Sequence, residues 1–336
     1  MSVPHEQSFQ PPPPPPTKVL ETPAPLPTRL RPVAIALFVI GLLVLVGGIA
    51  KFIPGGVGTG GALAFFGILL FALSFISLPQ VVGAEPPMSP IERVLGTFYE
   101  PTRVFRNLRA HPRWAAAFIV IAVLAGVYSF AFTRRVTPER IVNHTIDKLA
   151  EMGPPFAPAP DMLEKMRADR IEEAKNPVQR IGLFAKTAVG IFVFAAIVAA
   201  LYMLCILAFG GRINYWQSLA IYFCASLPVV AIQKILSLVI LYLKQPEDIH
   251  PILGQESLVQ DNLGVLFTPA EHPVLFVLAS SIGVLSFYGL WLRAKGLQYG
   301  GLRVSSGAAW GTAITLWLLG IVLITIVTAL FPGFIS

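Results

Sequence analysis

Charge is what this sequence has least of. Only 13% of its 336 residues are Asp, Glu, Lys or Arg, against about 25% in an ordinary soluble domain. A soluble fold could not cover its surface with so little charge. Cysteine is equally scarce: Cys205 and Cys224 both lie in apolar runs. No CxxC or paired framework exists, so each reads as a small buried hydrophobe rather than a disulfide or redox group. The five histidines (His5, His111, His144, His250, His272) stand singly, and no HExxH, Walker loop or GxSxG occurs. The chain therefore offers no motif for an enzyme, and neither a cofactor nor a metal is expected.

Apolar residues are abundant, at 55%, and they come in runs. Crossing a bilayer takes about 20 apolar residues in a helix, and seven segments meet that demand. They are Val33–Ile53, Ala62–Leu78, Trp114–Thr133, Thr187–Gly210, Trp216–Leu243, Pro273–Leu292 and Ala308–Phe331. The glycine-rich PGGVGTGG (54–61) lacks the lysine of a phosphate cradle and reads as a tight turn between the first two. No small-residue cleavage site follows the first run, so it is expected to stay as an anchor. The fold class this implies is all-α: a polytopic transmembrane helical bundle of about seven spans.

Orientation follows from Lys and Arg near the spans. With the amino terminus inside, the cytoplasmic segments hold twelve of them (Lys18, Arg29, Arg31, Arg93, Arg103, Arg106, Arg109, Arg113, Arg212, Arg293, Lys295, Arg303) against five acids. The loop 244–272 is acidic and goes outside. Loop 134–186 carries ten Lys/Arg and eight Asp/Glu and is placed outside on the strength of the others. The expected setting is a bacterial inner (cytoplasmic) membrane, amino terminus cytoplasmic and carboxy terminus extracytoplasmic. The net charge of +7 reflects this bias and no nucleic-acid partner is expected.

Four domains are expected: a proline-rich cytoplasmic tail (1–32), a two-span hairpin (33–80), an amphipathic cytoplasmic segment (88–113) and a five-span membrane domain (114–331). The tail holds eleven prolines and favours polyproline II, either as a spacer or as a dock for an aromatic-grooved partner. In 88–113, Ser89-Pro90-Ile91-Glu92 signals a helix start. Ile91, Val94, Leu95 and Phe98 fall on one face; past Pro101, so do Val104, Phe105 and Leu108. The expected setting is the membrane interface, apolar face in the acyl boundary. Arg103, Arg106 and Arg109 are then candidates for anionic lipid headgroups, and Trp114 marks the membrane edge.

Two residues inside the fifth run carry candidate intramembrane roles. Pro228 removes a mid-span backbone hydrogen bond. Lys234 is a deep charge, expected to snorkel toward headgroups, although a kinked span beside a lysine also suits a solute path.

Three stretches resemble the Yip family, the Ypt/Rab-interacting membrane proteins, in its bacterial form. The first is the order Phe98, Pro101, Phe105, Leu108, Pro112, Trp114. Next come Gly210-Gly211 and SLAIYFCASLP, ending at Pro228. The last is Trp291 with Gly296-Leu297, then Ser306-Gly307-Ala308-Ala309. The resemblance implies a five-helix membrane domain over about residues 88–331, with a cytoplasmic amino-terminal side. Eukaryotic members associate with Rab-type GTPases, but the chain lacks their Asp-Leu-Tyr-Gly-Pro-like motif and no catalytic residue carries over. The function expected is non-enzymatic: membrane organisation, or binding of a cytoplasmic protein partner. The alternative is a small-solute transporter or channel using spans five to seven.

Overall fold

A computed structural model describes residues 30–50, 52, 56–75, 86–151, 158–175 and 177–330. The polyproline expectation for the tail lies outside them. No strand forms among the described residues; two isolated bridges, Arg212 with Leu302 and Asn262 with Gly283, tie loops together. The fold is an all-α helical bundle of membrane-crossing type. Five helices are long and apolar enough to span a bilayer: α1 (Leu30–Ile49), α5 (Ala115–Val136), α8 (Pro177–Ala208, apolar from Thr187), α9 (Tyr215–Leu243) and α13 (Ser306–Leu330).

α1 and α2 (Gly56–Leu73) form the hairpin and share the most extensive helix–helix interface among the described residues. PGGVGTGG is not the tight turn expected from sequence. Its residues from Gly56 onward open α2, and the helix ends at Leu73 rather than Leu78. The reason is close approach: a Cβ on Gly60 would stand 2.6 Å from the Leu45 Cα, and one on Gly67 2.6 Å from the Phe38 backbone nitrogen. Lipid tails give apolar helices no hydrophobic reason to pair, so backbone proximity through small residues supplies the dispersion contacts. Arg31 lies over the Phe75 ring, 4.9 Å from its centre, at the open end of the pair.

α9 is the hub of the rest, packed by α5, α8 and α12 (Val284–Gly300) along its length. Its first half, Tyr215 to Pro228, is almost wholly buried, and a capping box of Asn214 and Gln217 starts it. Pro228 sits inside one continuous helix. Trp114, Phe118, Phe192 and Phe223 join α5, α8 and α9 in an aromatic cluster with ring centres 5.2 to 6.3 Å apart. Trp114 thus points into this cluster.

The sixth expected crossing, Pro273–Leu292, is not one rod. α11 (Pro273–Ser280) stops, the chain breaks at 281–283, and α12 continues to Gly300. The loop before it intrudes at the break: the Leu285 N–H donates to the Asp261 carboxylate at 2.7 Å and the Val284 N–H to the Asp261 carbonyl at 3.2 Å. Arg293, assigned by sequence to the flank of this span, therefore lies well inside α12, with its Nε buried and without a hydrogen-bond partner.

Candidate functional site

At one end of the bundle, α3 (Pro90–Tyr99) and α4 (Pro101–Ala110) lead into α5. Ser89 caps α3, its hydroxyl accepting from the Glu92 N–H at 3.1 Å, with Pro90 in the first turn. The two helices treat their apolar faces oppositely. On α3, Ile91 (73% exposed), Leu95 (54%) and Phe98 face outward with Tyr99, while Arg93, Gly96 and Thr97 face in. On α4, Val104, Phe105 and Leu108 are fully buried, so this face is not in the acyl boundary as expected but packed on the protein's own α12 and α9.

Arg93 is the residue sequence reasoning missed. It was counted as a flanking cation, yet it is 2% exposed. It donates to the Met88 carbonyl at 2.8 Å and to the Arg113 carbonyl at 3.3 Å. Burial pushes its guanidinium below the ordinary arginine value. Asn107, beside it on α4, donates to the Pro86 carbonyl and accepts from the Met88 N–H. Together they clamp residues 86–88 to the bundle.

The three headgroup candidates sit in different surroundings. Arg103 pairs with Glu92 at 2.9 Å and Glu100 at 3.3 Å, and the Glu100 hydrogen bond raises its pKa first, then the Glu92 charge. Arg106 stands over the Tyr299 ring. Arg109 is half-buried, and its carbonyl accepts from the Gln217 side chain at 2.6 Å.

At the opposite end, Lys234 does not snorkel outward. Its ammonium donates to the Glu256 carbonyl and lies 4.6 Å from the Tyr128 ring centre. Tyr128 donates to the Gly254 carbonyl, and Ser237 accepts from the Leu258 N–H at 3.0 Å. These three side chains pin the loop that carries α10 (Leu253–Glu256) onto α5 and α9. A hydrogen bond to a charged group contributes about 1.5–3 kcal/mol. Lys234→Met is therefore expected to raise amide exchange at 254–259 by about tenfold or more, leaving α8 protected; unchanged exchange there would contradict the pin.

Two histidines assigned no role come together in the same region. His144, on α6 (Pro138–Glu151), meets His250 edge to face with ring centres 5.0 Å apart. They border a cleft of about 740 Å³ shared with Glu139, Asp147, Glu247 and Asp248. No three metal-ligating side chains converge among the described residues. His250 Nδ1 accepts from the Ile252 and Leu253 N–H groups, both at 3.2 Å, which requires that nitrogen unprotonated. Burial pushes its pKa below the ordinary 6.5, with His144, Lys148 and Arg140 adding to the shift. The unfolded chain thus binds this proton more tightly, so the stabilisation is complete above pH 6.5 and is lost as pH falls through the folded value. Exchange at 250–256, corrected for the intrinsic pH dependence of amide exchange, should rise between pH 7 and 5. His250→Asn, which accepts but does not titrate, should flatten that rise; an equal rise in the variant would refute it.

A family model for the Yip1 domain matches residues 95–327. The chain belongs to that family. No curated protein and no solved structure matches it. The Yip1 region takes in the second half of α3, all of α4–α12 and most of α13, leaving the α1–α2 hairpin outside. The residues that carry the resemblance have visible work: the Phe105 ring packs on Gly296, Trp114 joins the aromatic cluster, and Gly210, at φ +77°, turns the chain between α8 and α9.

Proposed function

We propose that this Yip1-domain membrane protein is non-enzymatic and acts through its α3–α4 end, set on the cytoplasmic side, by organising membrane or docking a protein partner. The observation that carries the reading is α3 itself. A helix that buries an arginine and turns Ile91, Leu95 and Phe98 outward is built to meet something apolar beyond its own bundle. The basic flank agrees, since anionic headgroups lie at that level if the amino terminus is inside. The test is purification of tagged protein from its native membrane in mild detergent, with mass spectrometry of what co-elutes. A stoichiometric protein lost on Ile91→Ser/Leu95→Ser supports docking. If none co-elutes and a reporter fused after Glu173 proves cytoplasmic, the reading fails.

A second reading, a solute path, draws support from the break between α11 and α12, because interrupted helices line transport sites in other membrane proteins. Lys234 weighs against it, being engaged by the Glu256 carbonyl. Flux in proteoliposomes that Lys234→Ala leaves unchanged would remove lysine from any such path.

A further inference from the structure

The cations of α4 are not equivalent, and the difference marks a site. Arg103 is already neutralised by two glutamates, 2.9 and 3.3 Å away. Arg106 forms no ion pair among the described residues, and neither does Lys295 on α12. Yet both converge on one ring: the Arg106 Cζ lies 5.3 Å and the Lys295 Nζ 5.5 Å from the centre of Tyr299. One turn further along α4, the Nε of Arg109 is buried without a hydrogen-bond partner.

Like charges gathered on one ring repel, and the ring face offsets only part of that. Among the described residues no carboxylate pairs with either cation to do the rest. α4 is held close against α12, because the Phe105 ring packs where a side chain on Gly296 would stand. Two unpaired cations on neighbouring helices, with an aromatic wall between them, match a phosphate oxygen cluster.

We propose that Arg106 and Lys295, on either helix beside Tyr299, bind the phosphate of an anionic phospholipid, and that Arg103 takes no part. The inference rests on the reading of the α3–α4 end as a membrane-facing surface. A lipid is favoured over free phosphate because the outward Ile91, Leu95 and Phe98 of α3, at the same end, offer its acyl chains an apolar surface.

Native mass spectrometry of the full chain, released from detergent with phosphatidylglycerol or phosphatidylcholine, reads the site directly. The parent should retain phosphatidylglycerol in preference. Arg106→Gln/Lys295→Gln should weaken that retention by about tenfold or more, Arg106→Lys should keep most of it, and Arg103→Gln should change it less than about twofold. Equal loss in Arg103→Gln, or none in the double variant, overturns the site. Displacement by inorganic phosphate, without preference between the two lipids, overturns the lipid assignment. The surface reading is scored separately, with the photo-crosslinker p-benzoylphenylalanine in place of Ile91. A lipid or protein adduct there, beside an unaffected double variant, rejects this site alone; no adduct rejects the surface beneath it.

Discussion

Gly296→Leu is expected to destabilise the Yip1 domain by about 2–3 kcal/mol or more, the upper range for overpacking a closed joint. A Cβ at this position would stand 2.6 Å from the Cγ2 of Ile221 and 3.2 Å from the Cε1 of Phe105. Neither neighbour can give way easily. Both are fully buried, and a β-branched Ile in a helix has one strongly favoured rotamer. Gly300 repeats the arrangement one turn later, 2.6 Å from the Ile221 Cδ1. The substitution therefore parts α12 from α4 and α9 together. The thermal midpoint in detergent should fall by several degrees, with Gly296→Ala in between. A parent-like midpoint for Gly296→Leu would show that the joint is looser than described.

Gly60→Leu tests a different kind of contact. Here the obstacle is backbone, the Leu45 Cα at 2.6 Å, which no rotamer change relieves. The hairpin is expected to open: amide exchange along α1 and α2 in detergent should rise by an order of magnitude or more, since the loss of close packing removes about 1–3 kcal/mol or more. α9 and α12 contain none of these glycines and should keep their protection. Unchanged exchange in α1 would mean that the two helices are held by something other than their seam.

The crossing helices were legible because a bilayer imposes a length: α1, α5, α8, α9 and α13 each coincide with an apolar run that nothing else explains. The family could also be read, through Phe98 to Trp114 and through Trp291 with Gly296-Leu297 on α12. The break at 281–283 could not. PVLFVLASSIGVLSFYGLWL carries no charge throughout, and what interrupts it is Asp261, more than twenty residues upstream, reaching the Leu285 N–H. Nor could the sense of α3. Periodicity reports that a helix has two faces, but where lipid is the solvent the apolar one need not turn inward. Arg93 accordingly read as a flank and proved to be a clamp. His144 and His250 are separated by 106 positions, and only the folding of α6 against the loop after α9 joins them.

The glycine seam also sets an order of assembly. α1 and α2 find their closest contacts in each other and are neighbours in the chain, so both sides of that seam leave the ribosome before α4 does. The pair can close while translation continues. The joint of α4, α9 and α12 has no such head start, because its partners run from Phe105 to Gly300 and the first must wait for the last. A chain stalled between them carries a finished hairpin and an unfinished bundle, with Phe105 and Ile221 still uncovered. It is this half-made species, rather than the complete protein, that membrane proteases and insertion factors would meet first.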